Sequence, residues 1–196
     1  RRPLPAGMVE MESDAELEAG DLAPDFDLRG TDGDTHSLAD FAEYDAVLLV
    51  FTCNHCPYAK AKFDTLNDIA ADYDDVAVVG VNPNDAEEYP DDSFERMQDL
   101  VDDGTVQYDA YLRDDTQDAA RAYGATCTPD PFLLENADDG FDVAYHGRLD
   151  DALNPDDDPT RDCGDVRDAI DSVLAGESVD DEFRPSRGCS IKWRAD

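Results

Sequence analysis

Basic residues are scarce in this chain: 15 Lys and Arg stand against 50 Asp and Glu, a net charge of −35 over 196 residues, and only three lysines are present. So acidic a surface repels phosphate backbones and anionic headgroups, which argues against nucleic acid or an anionic membrane as partner. No apolar run approaches the roughly 20 residues of a membrane-spanning helix. None resembles the apolar core of a secretory signal either, and Arg1-Arg2 runs into Pro-Leu-Pro-Ala-Gly rather than a twin-arginine signal. A cytoplasmic location is the default expectation. The chain lacks a second Cys-x-x-Cys, a His pair at zinc-ligand spacing, an HExxH, a phosphate loop and any internal repeat. Half of a zinc site is therefore the weaker reading of its cysteine pair. Five cysteines cannot all pair. In a reducing compartment they are expected to be thiols or catalytic groups rather than a disulfide framework.

What is present centres on Leu48–Lys62, LLVFTCNHCPYAKAK. Val47–Phe51 is a β-branched and aromatic run without polar interruption, the pattern of a strand covered on both faces. From Pro57 onward Ala59, Phe63, Leu66, Ile69 and Ala70 recur at helical spacing. Cys56 then falls at the N-cap with Pro57 at the first helical position, where free N–H groups and the helix dipole favour a thiolate. Cys53 lies three residues upstream, within disulfide reach of Cys56 across a four-residue turn. Lys60 and Lys62 either offset the acidic field at Cys56 or are simply solvated. His55 is either a solvated loop residue or a group that tunes Cys56. Two buried, inert cysteines remain the bland alternative.

In chain order, residues 1–19 show no periodicity and read as a mobile arm, residues 20–176 as one domain, and residues 177–196 as a tail. Phe26 and Leu28 suggest a half-buried strand, with Thr35–Leu38 pairing back as a hairpin. Val76–Val81 is a second buried strand, completing a βαβ unit. Asp92 with Glu95 reads as a capping signature for a helix to about Val101. Tyr108–Leu112 is expected as a strand, Thr116–Tyr123 as a short helix, Phe132–Leu134 and Phe141–Tyr145 as an antiparallel hairpin, and Val166–Leu174 as the last helix.

GDLAPDFDL, the strand–CNHCP–helix junction, AYGA followed by CTPDPF, and the closing hairpin together resemble the thioredoxin superfamily over about Gly20–Ala175. They are most similar to its peroxiredoxin-like, AhpC/TSA-like branch, in the subgroup that carries CxxC, and the GCSIKW tail resembles that subgroup too. The resemblance implies an α/β three-layer sandwich: a central mixed sheet flanked by helices, with an N-terminal β-hairpin extension. It implies Cys56 as the attacking thiolate, since Cys56-Pro57 matches the peroxidatic Cys-Pro, and Cys53 as resolving cysteine, supported by Pro57, Lys60 and His55. It further implies a cis Thr128–Pro129 bond facing them. Cys127 and Cys189 are candidates for additional redox thiols, and Cys163 reads as incidental. Two departures stand out: Leu49 replaces the proline that opens the peroxiredoxin motif, and Cys53 replaces the hydroxyl residue that orients peroxide. The implied activity is thiol–disulfide exchange, with thiol peroxidase as the alternative; further alternatives are a copper carrier using His55 and His146, or a redox sensor. The expected partners are a dithiol protein or small-thiol reductant and a disulfide or peroxide substrate, with no cofactor or metal; the oligomeric state stays open.

Acids run through the whole sequence rather than a tail, so adaptation to molar salt is the expectation, and an extreme halophile the expected source. Screening lengths fall to roughly 3 Å at 1 M. The melting temperature should accordingly rise between dilute buffer and molar KCl. A melting temperature that stays level or falls contradicts the halophilic reading.

Overall fold

A computed structural model describes residues 9–180 and 182–195. Its strands are β1 (Glu10–Glu12), β2 (Leu28–Gly30), β3 (Thr35–His36), β4 (Ala46–Phe51), β5 (Val76–Asn82), β6 (Ala110–Arg113), β7 (Cys127–Thr128), β8 (Asp130–Ala137), β9 (Gly140–His146) and β10 (Arg187–Ser190). The helices are α1 (Pro57–Lys60), α2 (Phe63–Asp72), α3 (Phe94–Asp102), α4 (Asp118–Tyr123) and α5 (Gly164–Leu174), with 3-10 turns at Leu38–Phe41 and Pro90–Asp92. Among the described residues, no helix is long and apolar enough to cross a membrane.

Side chains alternate across a strand, and β4 serves two cores. Val47, Leu49 and Phe51 join Val79, Tyr123 and Phe132 on one face of the sheet. Ala46, Leu48 and Val50 join Val78, Ile69 and Ile170 on the other. All six β4 residues are fully buried, which is why the run tolerates no polar residue. β4 pairs in parallel with β5 and antiparallel with β8, in a sheet of order β3-β2-β6-β5-β4-β8-β9. Helices α2 and α5 pack against the Leu48 core, and α4 with the 3-10 turn at Leu38–Phe41 packs against the Phe51 core. The hairpin β2–β3 forms one edge. This is the mixed, helix-flanked sheet that the resemblance implies.

Several local expectations need correction. The helix after Cys56 is in two pieces: Lys62 (φ −109°, ψ 0°) leaves the helical path between α1 and α2. The cap of α3 is Ser93, whose hydroxyl accepts from Arg96 N–H at 3.2 Å; Asp92 turns inward instead. Strand β6 starts at Ala110, because the Asp109 carboxylate takes the Val78 N–H at 2.7 Å. The mobile arm expected over residues 1–19 differs at Glu10–Glu12, which pair antiparallel with β10. β10 pairs in turn with β7, forming a second, three-stranded sheet. All three β1 residues are exposed, so no buried face marks this short strand, and its partner β10 is far away in sequence. Residues 1–8 of the expected arm lie outside the described residues.

Phe51 meets Phe132 edge-on at 5.9 Å and Tyr123 at 5.5 Å. Phe51→Ala should therefore cost about 4 kcal/mol, measured by denaturant unfolding in molar salt. A loss below about 1 kcal/mol would mean the core there collapses around the deletion.

Candidate active site

The buried β4 ends at Phe51, and residues 52–56 turn the chain into α1. Pro57 occupies the first helical position and Cys56 the N-cap, with extended backbone (φ −65°, ψ 127°). Cys53 is 0 % and Cys56 1 % exposed. The Cys56 N–H donates to Cys53 Sγ at 3.3 Å, and the Thr128 hydroxyl donates to the same sulfur at 3.4 Å. The Thr128 carbonyl oxygen lies 3.7 Å from Cys56 Sγ.

Burial disfavours a thiolate at Cys56. Hydrogen bonds from the Cys189 and Cys53 thiols and from the Ala59 and Cys189 backbone N–H groups outweigh it and bring the Cys56 pKa down to about 3. The donors respond in the opposite sense. Burial, then the bond to Cys56, pushes Cys53 well above its ordinary value, and the bond to Cys56, then burial, pushes Cys189 up. These hydrogen bonds therefore favour an anion at Cys56 and protons at Cys53 and Cys189, and all five cysteines are unbridged.

Beside this cluster, His55 Nδ1 lies 2.7 Å from the carboxylate of the buried Asp92. Asp92 also accepts from Asn54 N–H at 2.7 Å and Asn84 Nδ2 at 2.9 Å, so it ties the Cys53–Cys56 turn to the loop after β5. Burial opposes a His55 cation, but Asp92 raises its pKa overall. Burial likewise opposes the Asp92 anion, yet His55 and the two asparagines depress its pKa. Arg113, itself buried, donates to the carbonyls of Asn82, Asp92 and Asn84 and holds that loop in place. The Tyr111 hydroxyl donates to Asn54 Oδ1 at 2.6 Å. Sequence reasoning missed Asp92, Asn54, Tyr111 and Arg113. Pro-Asp-Asp-Ser looks like a helix start, and no local pattern marks a carboxylate that bonds residues 38 positions away.

The structure gathers Cys53, Cys56, Cys189, His55, Pro57 and Thr128, and the Thr128–Pro129 peptide is cis. It does not gather the rest. Lys62 pairs with Asp150 at 2.8 Å and Lys60 is exposed; the groups that act most on Cys56 are thiols and backbone N–H groups, not lysines. Cys127 points to Ser186 Oγ at 3.9 Å, with burial and Asp130 holding its thiol up. Cys163 is buried in the Leu48 core, and burial raises its pKa to about 11. His146 is buried: it stacks on Phe132 at 3.9 Å and meets Asp130 at 2.7 Å. Cys53, His55 and Asp92 offer ligand atoms within 4.8 Å of one another, and His146 is not in that group.

The His55–Asp92 pair has a two-sided pH dependence. The part due to His55, whose pKa is raised, is full below about 6.5 and is lost as pH rises through the folded value. The part due to Asp92, whose pKa is depressed, is present above about 3.9 and is lost as pH falls through the folded value. Asp92→Asn should cost about 3 kcal/mol and lower the His55 pKa, read by denaturant unfolding and an NMR titration. An unchanged His55 titration contradicts the pairing.

A family model described as the AhpC/TSA family matches residues 19–140. None of the curated proteins compared with the chain matches it. Among solved structures, an uncharacterized conserved protein from Geobacillus kaustophilus is 37% identical with a TM-score of 0.88, over 97% of this chain and 99% of that one. A hypothetical protein from Sinorhizobium meliloti 1021 is also 37% identical, with a TM-score of 0.87 over 94% and 99%. A protein from Chlorobium tepidum assigned as the thiol:disulfide interchange protein DsbE is 23% identical, with a TM-score of 0.62 over 81% and 99%, a likeness of fold.

Proposed function

The chain belongs to the AhpC/TSA family, and from that premise we propose that it is a thiol–disulfide oxidoreductase in which Cys56 attacks and Cys53 resolves. The observation that carries this reading is geometric: Cys56 stands at the N-cap of α1, its N–H donates to Cys53 Sγ at 3.3 Å inside the same turn, and Thr128 lies against both sulfurs. The Cys56 thiolate attacks a substrate disulfide, forming a mixed disulfide and expelling one substrate thiolate. Cys53 then attacks Cys56 Sγ, the mixed disulfide breaks, and the second substrate thiolate leaves with the Cys53 proton. A dithiol protein or small thiol returns the Cys53–Cys56 disulfide to two thiols. These steps move only sulfur bonds and protons, and the cytoplasm is the compartment we propose for them.

A thiolate with a pKa of about 3 is a weak nucleophile but a good leaving group, and stabilising it destabilises the disulfide. The Cys53–Cys56 couple should lie well above thioredoxin's roughly −270 mV and toward DsbA's roughly −120 mV, read by equilibration with glutathione buffers. Cys56→Ser should abolish exchange, and Cys53→Ser should retain the first attack. A couple at or below the thioredoxin value, or full exchange by Cys56→Ser, contradicts the assignment. The enclosure of Cys56, 1 % exposed, favours a second reading in which the substrate is small. There the thiolate attacks a hydroperoxide oxygen, the O–O bond breaks, and Cys53 condenses with the resulting sulfenic acid to release water. Stopped-flow peroxide consumption separates the two.

A further inference from the structure

The strand that covers Cys56 carries a third sulfur. In β10, Cys189 stands opposite Thr128 of β7, and Ser190 stands opposite Cys127. Directly paired residues project to the same face of a sheet and neighbours along a strand to opposite faces. Thr128 and Cys189 therefore face the Cys53–Cys56 turn together, while Cys127 is turned away to Ser186. The Cys189 thiol is hydrogen-bonded to Cys56 and is packed with Cys53, Cys56, Tyr58 and Ala59.

The close approach is built in. At Gly188 any side chain would overlap the Thr128 carbonyl and lie 3.1 Å from the Pro129 nitrogen, so only glycine lets β10 settle onto that peptide. Both flanks of the strand are fixed. Ser186 N–H donates to Ser13 Oγ at 3.0 Å on one side. On the other, Lys192 N–H donates to Asn84 Oδ1 at 2.9 Å, and the Lys192 carbonyl accepts from Gln117 Nε2 at 2.9 Å. Cys53 follows directly on the fully buried β4, whereas Cys189 sits on a four-residue strand near the end of the chain. The two sulfurs beside Cys56 are thus held from different sheets, Cys53 by the end of β4 and Cys189 by β10.

Resting on the redox reading of Cys56, we propose that Cys189 is a second resolving cysteine, and that the chain passes its disulfide from Cys53–Cys56 to Cys56–Cys189. Starting from the Cys53–Cys56 disulfide, the Cys189 thiol loses its proton and attacks Cys56 Sγ. The Cys53–Cys56 bond breaks, the Cys56–Cys189 bond forms, and Cys53 leaves as a thiolate that takes up the proton from Cys189. No net oxidation occurs in this step. An external dithiol then attacks Cys189 Sγ, Cys56 departs as the stabilised thiolate, and the partner's second thiol breaks the mixed disulfide, so that Cys189 leaves as a thiol and the partner is oxidised. The third sulfur thus offers the enclosed pair a second acceptor on a strand outside the central sheet, Cys189 itself being 1 % exposed.

The test is disulfide mapping by mass spectrometry after one equivalent of glutathione disulfide in molar KCl, on the wild-type chain, Cys53→Ser and Gly188→Ala. The wild type should yield both Cys53–Cys56 and Cys56–Cys189 linkages. Cys53→Ser should yield Cys56–Cys189 with release of glutathione, and Gly188→Ala should lose that linkage while keeping Cys53–Cys56. If Cys56 is oxidised but Cys189 is recovered as a free thiol in both the wild type and Cys53→Ser, the relay is overturned and the reading of Cys56 stands. If Cys56 itself is recovered as a free thiol, both fall. Should Gly188→Ala fail to fold, the Cys53→Ser map decides alone.

Discussion

A sulfur anion held out of water needs donors, because burying an unpaired charge is among the costliest things a fold can do. Cys56 meets that demand with the backbone N–H groups of Ala59 and Cys189 and the thiols of Cys53 and Cys189. These four donors come from three parts of the chain. Helix α1 presents its own first turn, the end of β4 fixes Cys53, and β7 supports the strand that brings Cys189. The two flanking thiols must keep their protons to act as donors, and the raised pKa values of both follow from the same bond. Thiol chemistry at one sulfur therefore depends on the protonation of its neighbours, and on a C-terminal strand that the family match over residues 19–140 does not reach.

The surrounding acidity makes the scarce cations informative. With three lysines and three histidines in the chain, Lys62 is engaged by the buried Asp150, His55 by the buried Asp92 and His146 by the buried Asp130. A buried carboxylate without a partner is strongly destabilising, whereas an exposed one is solvated and screened. At these three acids a basic side chain thus stands where a carboxylate leaves water, while most of the acids are left to solvent and salt. That division also explains why the lysines near Cys56 in sequence do not act chiefly on it. Lys62 answers an acid 88 residues away, and the anion at Cys56 is stabilised by hydrogen bonds instead.

Much that depended on local pattern was legible in the sequence, although the break between α1 and α2 and the cap of α3 were not. The apolar run at Val47–Phe51 marked the central strand, Cys56-Pro57 marked a helix start with its sulfur at the N-cap, and the Gly-bounded alternations marked the hairpins. The features that complete the site are long-range pairings with no local signature. Asp92 sits in a stretch that looks like a helix cap, yet it bonds Asn54 and His55. Glu10–Glu12 is only three residues long and all exposed, so burial leaves no mark on its sequence. Cys189 is one of five cysteines in the sequence, and only the β7–β10 register singles it out above Cys127. The spacing of Cys127 from Pro129 pointed toward Cys56, but strand alternation turned it away.

The most direct test of this account is the ultraviolet absorbance of the Cys56 thiolate, measured as the difference between the wild-type chain and Cys56→Ser in molar salt while pH is lowered. The account predicts that one thiolate's worth of absorbance is already present at about pH 5, well below an ordinary thiol's pKa of about 8.5. It also predicts that this signal persists until acid approaches the depressed value of about 3. A difference that develops only near about pH 8.5 would contradict it, for Cys56 would then be an ordinary buried thiol with no anion for the cluster to hold.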